Sequence, residues 1–159
     1  MKQENNLQTG TLVKILCIGV VLLFYRASFA QSRAGLVLGD PTGFSFQQET
    51  SKTRALEGVL GWSASDLTLI GNYLFVEPQR FRMDSAQFDL YYGVGLRLIS
   101  IDGGKNDGEL SISPRAPLGT RYRFQGSRLE AFGELSLNME LTPETGFDID
   151  GGLGLRYRF

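Results

Sequence analysis

The chain has 159 residues, 16 of them basic and 17 acidic, with one cysteine and no histidine. This length predicts a single domain. The balanced charge excludes nucleic-acid binding through a basic surface, and the absence of histidine removes the commonest general base and metal ligand.

The first part of the chain has the pattern of a secretory signal peptide. A short basic start precedes an apolar run of eleven residues, 15–25, and Ser28 and Ala30 are small residues at the −3 and −1 positions of a cleavage site. A helix that spans a bilayer needs about 20 apolar residues, so this run is too short for a permanent anchor. We therefore expect residues 1–30 to be a cleaved signal peptide and 31–159 to be the mature domain.

The expected mature domain contains neither cysteine nor histidine. Its charge is also close to neutral, because removal of the leader leaves 13 basic and 16 acidic residues. An exported protein without disulfides must gain its stability from burial or from a closed sheet.

Short alternating runs separated by turn residues predict eight β-strands after the leader. In chain order, the predicted strands are 33–39, 43–49, 53–62, 67–75, 88–99, 108–124, 128–141 and 147–159. The longest predicted connection is 76–87, a candidate periplasmic contact or a disordered link. Pro114 and Pro117 lack the N–H that a sheet ladder uses, so we expect a bulge or bend in the sixth strand.

The later strands separate an apolar face from a charged one, although Val37 in the first strand breaks this pattern. The charged face holds eight acidic and seven basic residues. The basic residues are all arginine, which favours an enclosed network of ion pairs. Aromatic residues near the strand ends are typical of interfacial girdles. We therefore predict an all-β, eight-stranded antiparallel transmembrane up-and-down β-barrel with its apolar face outward. A soluble barrel with the opposite orientation has the same period.

Turn geometry predicts specific contacts inside this barrel. A two-residue turn with Gly126 at its first central position places Arg123 opposite Glu130. If the last two strands are symmetric about Glu144, Glu130 also lies opposite Arg158, and further charged residues follow diagonally. The predicted lumen charge network is Arg121, Arg123, Glu130, Glu134, Arg156 and Arg158.

Several motifs resemble a family of small, largely uncharacterised bacterial outer-membrane β-barrels of about eight strands, similar to the outer-membrane protein A and X type. They are Leu38-Gly39-Asp40-Pro41-Thr42-Gly43, Leu60-Gly61-Trp62-Ser63, Tyr91-Tyr92-Gly93-Val94-Gly95, Arg115-Ala116-Pro117-Leu118-Gly119, Leu141-Thr142-Pro143-Glu144-Thr145 and Gly151-Gly152-Leu153-Gly154-Leu155-Arg156-Tyr157. The alternating segment that ends in Tyr157 and Phe159 resembles the closing strand of such barrels. The resemblance implies residence in the outer membrane as a monomer in contact with outer-membrane lipid. It also implies that Tyr157 and Phe159 form the signal read by the barrel-assembly machinery.

Other candidate chemistry is weak. Glu140, Glu144, Asp148 and Asp150 suit a calcium site, but a solvated hairpin mouth is the simpler interpretation. Residues 102–108 also have the residue types of a calcium-binding loop, but an ordinary turn is the simpler interpretation there. Serines of the sixth and seventh strands have no histidine to act as a base. We expect no enzymatic activity, no cofactor and no metal.

An eight-stranded barrel encloses only enough room for its own side chains. The leading hypothesis is therefore a structural or interaction protein of the cell envelope with a filled lumen. The alternatives are a narrow channel, a soluble periplasmic ligand-binding barrel, and an enzyme acting on lipids with a base other than histidine.

Overall fold

The computed structural model of the chain describes residues 31–63, 66–83, 86–100, 110–142 and 145–159. The predicted signal peptide, 1–30, and the predicted turn at 102–108 lie outside the described residues. In the described part of the chain, no helix is long and apolar enough to cross a bilayer.

The strands form one closed antiparallel barrel, which confirms the predicted fold class. Each strand pairs with its neighbours in the chain, and the first pairs with the last to complete the closure. The strands are β1 (Ser32–Asp40), β2 (Thr42–Ser51), β3 (Arg54–Ser63), β4 (Asp66–Met83), β5 (Ala86–Ser100), β6 (Leu110–Arg123), β7 (Leu129–Glu140) and β8 (Gly146–Arg158). We call the end where β1 begins and β8 ends the terminal end, and the opposite end the distal end.

Alternation along the strands separates an exposed face from a buried one. In β6, buried positions alternate with more exposed ones from Leu110 to Arg121. In β8, Leu153 is 70% exposed whereas Arg156 is 1% exposed. The predicted orientation, with apolar side chains outward and charged side chains inward, is therefore confirmed.

The fourth and fifth strands are longer than predicted. The sequence pattern ended the fourth strand at residue 75 and treated 76–87 as a connection, but β4 continues to Met83 and β5 begins at Ala86. The register shifts between Glu77 and Phe81. The extra residues of this bulge interrupt the period of two, so the pattern resembled a loop.

The sixth strand keeps its register past its two prolines. Tyr92 pairs with Leu118 and Gly95 with Arg115 in the same register, so no bulge shifts the β5–β6 pairing at the prolines. Among the described pairs, the β5–β6 ladder is interrupted between these two points. Pro117 lies in that interval and has no N–H to donate.

The β6–β7 turn has the predicted register but a different geometry. Arg123 lies opposite Glu130, as predicted. The Ser127 N–H donates to the Phe124 carbonyl at 3.2 Å, and Gly126 has a φ of 71°. Glycine therefore occupies the second central position of the turn, where a positive φ is required, and not the first.

The predicted β7–β8 register is wrong. Glu130 lies opposite Arg156, not Arg158. The pairs are symmetric about the position before Glu144, so every partner on β8 is displaced by two residues. A displacement by two keeps each side chain on its predicted face.

Part of the lumen is apolar. Val37, which broke the predicted alternation, is buried with Val59, Ile70 and Phe132. A second buried cluster contains Ala55, Leu74, Val76 and Tyr91. Burial of each large side chain stabilises the barrel by about 1.5–3 kcal/mol.

Candidate functional site in the lumen

The charged lumen residues form two clusters joined by a central pair. The terminal cluster contains Arg33, Glu49, Asp89, Arg121, Arg123 and Glu130. The distal cluster contains Arg97, Arg115, Glu134, Glu140, Asp148 and Asp150. Arg156 and Glu57 form the pair between them.

Glu130 is the centre of the terminal cluster, and its side chain is 0% exposed. Its carboxylate lies 3.5 Å from Arg33 Nε and 3.6 Å from Arg123 Nε. Arg121 Nε and Arg156 Nη1 are each 4.0 Å away. Neither oxygen accepts a hydrogen bond from a described residue. The contact of one carboxylate with four guanidinium groups is therefore electrostatic, and burial strengthens it.

Two further carboxylates connect the same arginines by hydrogen bonds. Glu49 accepts hydrogen bonds from Arg33 and from Arg121 at 3.2 Å. Asp89 accepts one from Arg121 Nε at 3.0 Å and lies 2.9 Å from Arg123. Because the partners come from β1, β2, β5 and β6, this cluster crosslinks opposite walls of the barrel.

Arg156 occupies the middle of the lumen. It contacts Glu57, donates from Nε to Ser45 Oγ at 3.0 Å, and lies 3.6 Å from the centre of the Phe132 ring. This ring packs over Gly154, where an added Cβ would lie 2.4 Å from a ring carbon. The absence of a side chain at Gly154 therefore makes room for the stacked aromatic and guanidinium groups.

The distal cluster has four carboxylates and two guanidinium groups. Arg97 lies 3.0 Å from Asp148, 3.2 Å from Asp150 and 3.3 Å from Glu140. Arg115 lies 3.0 Å from Glu134 and 3.1 Å from Asp150. Three of the four carboxylates considered as a calcium site are thus paired with Arg97, whereas the fourth, Glu144, lies outside the described residues.

The predicted network residues are distributed over both clusters and the rim. Arg121, Arg123 and Arg156 all approach Glu130. Glu134 pairs instead with Arg115, on the distal side. Arg158 lies at the terminal rim and donates to the Ser127 carbonyl at 2.8 Å. The proposed assembly residues Tyr157 and Phe159 face outward, 43% and 71% exposed, with ring centres 5.4 Å apart.

The predicted network lacks three members of the terminal cluster, Arg33, Glu49 and Asp89. Arg33 and Glu49 lie on the two strands with weak alternation, β1 and β2. A usable signal existed, because Arg33, Gly35 and Val37 share one face of β1 opposite to its exposed leucines. Val37, the exception to the predicted pattern, marks the inward face.

The serines considered as nucleophiles are buried lumen residues. Ser111, Ser113 and Ser136 are 3%, 0% and 1% exposed. The Ser136 hydroxyl accepts a hydrogen bond from Arg115 Nε at 3.0 Å. Its partner is therefore a cation, which is not a base for nucleophilic attack.

The central pair borders a small cavity. Its volume is about 30 Å³, and its lining includes Glu57, Phe132, Arg115 and neighbouring apolar residues. This volume accommodates about one or two water molecules.

These features define a closed eight-stranded barrel with an apolar exterior and a charged interior, which is the fold of the outer-membrane β-barrel type. No protein-family model matches the chain, and no curated protein matches it. Among solved structures, the chain is similar to the crystal structure of the N-terminal β-barrel domain of Pseudomonas aeruginosa OprF. The TM-score is 0.55 at 13% sequence identity, and the match covers 81% of this chain and 96% of that chain. This likeness confirms the fold.

Proposed function

We propose that the protein is a small integral outer-membrane β-barrel with a side-chain-filled lumen and a structural or interaction role in the cell envelope. It acts as a monomer surrounded by outer-membrane lipid, without enzymatic activity or a cofactor. The observation that carries this proposal is the apolar exterior, which continues around the whole closed barrel.

Every strand contributes to this exterior with an aliphatic or aromatic side chain that is about half exposed or more. One example per strand is Leu36, Phe44, Leu60, Leu67, Val94, Leu118, Leu135 and Leu153. Water-soluble monomers rarely expose apolar patches larger than a few hundred Å². A lipid environment removes this cost, and the closed sheet satisfies the backbone hydrogen bonds that lipid cannot.

The filled lumen supports a structural role over transport. Arg33, Arg121 and Glu130 are at most 1% exposed, and the cavity beside Glu57 and Phe132 is only about 30 Å³. A charged lining that extends from Arg123 at the terminal end to Glu140 at the distal end favours a second candidate, a narrow channel. Conductance in planar bilayers separates the two.

Fractionation of cells that express the full chain tests the location. We expect a mature protein that begins at Gln31, sediments with the outer membrane, and changes gel mobility on boiling in detergent. Release by osmotic shock would instead support a soluble periplasmic ligand-binding barrel and overturn the proposal.

Assembly is proposed to depend on the outward aromatic residues at the end of β8. Phe159 and Phe147 are similarly exposed, at 71% and 74%, but lie at opposite ends of this strand region. Phe159→Ala should lower outer-membrane abundance, as immunoblotting measures it, whereas Phe147→Ala should not. Equal abundance of the two variants argues against recognition of Phe159 by the barrel-assembly machinery.

A further inference from the structure

A cavity of about 390 Å³ lies at the terminal end, beside the β6–β7 turn. We call it the rim pocket. Its lining consists of Gln79, Asp89, Tyr122, Arg123, Arg158 and the turn residues 124–128. Three arginines, one of them Arg128 in the turn, thus share a cavity with the single carboxylate of Asp89. The lining carries two more positive charges than negative ones.

The carboxylate of Asp89 is already engaged. It accepts hydrogen bonds from Arg121 Nε at 3.0 Å and from the Gln79 backbone N–H at 2.8 Å, and it lies 2.9 Å from Arg123. Neither Arg128 nor Arg158 forms an ion pair with a residue that the structure describes. The excess positive charge of the rim pocket therefore remains uncompensated within the described chain.

Arg158 is held in position to bind an anion. Its Nη2 donates to the Ser127 carbonyl at 2.8 Å, which fixes the guanidinium beside the turn. Its Nε is buried and has no hydrogen-bond partner among the described residues. A buried donor without an acceptor is costly. An anionic oxygen in the rim pocket would remove this cost and would form charge-assisted hydrogen bonds.

The position of the rim pocket indicates which anion it meets. Two of its lining residues, Tyr122 and Phe124, have ring centres 5.0 Å apart, and Tyr122 also packs on Phe88 at 5.2 Å. Aromatic residues at the end of an apolar barrel exterior lie at the membrane–water interface. Phospholipid phosphates lie at this depth, with acyl chains that extend along the apolar exterior.

We propose that the rim pocket binds the phosphate of a phospholipid headgroup in the leaflet around the terminal end. Arg128 and Arg158 contact the phosphate, and the aromatic residues pack against the glycerol and the first acyl carbons. Basic pockets between membrane segments bind lipid headgroups in this way. The inference rests on the proposed outer-membrane location, with both chain termini on the periplasmic side.

Titration of the full chain, folded in detergent micelles, with phosphatidylglycerol tests the proposal, with bound lipid counted by native mass spectrometry. We expect saturable binding of one lipid. Arg158→Gln should weaken it about tenfold or more, since one charge-assisted interaction is lost. The matched control is Arg54→Gln, which removes an exposed arginine at the same end but outside the rim pocket.

Three results would overturn the proposal. The first is equal affinity of Arg158→Gln and Arg54→Gln for phosphatidylglycerol. The second is equal affinity for diacylglycerol, which lacks the phosphate. The third is displacement of the lipid by inorganic phosphate at the same concentration, which would assign the rim pocket to free phosphate.

Folding of each variant is checked by its mobility before and after boiling. Arg128→Gln, a change of an exposed turn residue, replaces Arg158→Gln if the latter does not fold. Outer-membrane fractionation without phosphatidylglycerol binding refutes only the rim-pocket inference. Release of the protein in soluble form refutes the proposed function, whatever the lipid titration shows.

Discussion

Glu130 shows how a single residue organises the lumen. Its carboxylate is fully buried and approaches four guanidinium groups without accepting a hydrogen bond from a described residue. Glu49, Asp89 and Glu57 share these four cations, so the local charges are balanced only while Glu130 is ionised. Loss of one partner from a buried ionic network leaves an uncompensated charge, which costs about 3–5 kcal/mol.

We therefore predict that Glu130→Gln lowers the free energy of unfolding by about 3–5 kcal/mol. The measurement is the urea midpoint of the barrel folded in lipid vesicles. Glu77→Gln is the matched control, because Glu77 is 42% exposed and pairs with Arg80 at 3.4 Å. Exposed pairs of this kind contribute less than about 1 kcal/mol. Similar midpoints for the two variants would show that the terminal cluster is effectively solvated.

The packing of Tyr91 leaves no room for a side chain at Gly119. An added Cβ would lie 2.3 Å from Tyr91 Cζ and 2.6 Å from the Gly133 carbonyl oxygen. Overpacking of this kind costs about 1–3 kcal/mol, so Gly119→Ala should lower the urea midpoint. Gly71→Ala provides the control, because an added Cβ there meets no atom within 4 Å. A Gly119→Ala barrel as stable as Gly71→Ala would mean that Tyr91 moves away without cost.

At the scale of the strand, the sequence predicts faces better than it predicts lengths. Strands β5 to β8 could be assigned because their alternation is long, and the face of each residue depends only on whether its position is odd or even. The end of β4 was missed because the bulge after Glu77 breaks the period. The inward face of β1 was missed because Val37 is apolar on a face expected to be charged.

For the candidate site too, the sequence predicts the face of each residue better than it predicts the residue's partners. Arg123 could be placed opposite Glu130 because a short turn sets that register. Arg158 was chosen in place of Arg156 because the longer β7–β8 connection leaves the register open by two residues. The two arginines predicted beside Glu130 were therefore assigned to the correct face of the sheet. One of them, Arg158, is not the residue that lies opposite Glu130. Contacts across the lumen, such as Arg33 with Glu130, depend on barrel closure and leave no local pattern in the sequence.

The extended β4–β5 hairpin leads to a prediction at the same scale. Glu77 pairs with Leu90, and Phe81 pairs with Phe88 beyond the bulge. If this segment is strand, its paired amides should exchange with solvent more slowly than those of the exposed β2–β3 turn at Lys52. Amide hydrogen exchange of the barrel in micelles measures this directly. Equal exchange rates would restore the interpretation of 76–87 as a disordered connection.

Across the whole molecule, the lumen holds apolar and charged groups that alternate along the same strands. Val59, Ile70 and Leu74 pack against apolar neighbours, whereas the two charged clusters contain long arginine side chains that reach across strands. Arginine is suited to this role because its planar group bridges several carboxylates at once. The proposed closure of the lumen therefore depends on the charged side chains as well as on the narrow width of an eight-stranded barrel.

This arrangement predicts that the barrel does not conduct until its arginines are removed. In planar bilayers, the wild-type protein should show no stable conductance steps, because Arg33 and Arg121 cross the lumen and are at most 1% exposed. The double variant Arg33→Ala, Arg121→Ala removes both barriers and should produce steps, provided that its gel mobility still changes on boiling. The double variant Arg54→Ala, Arg80→Ala removes the same charge from exposed positions and should remain silent. Steady wild-type conductance would favour the narrow channel, and a silent lumen variant would mean that the remaining side chains close the barrel without these two arginines.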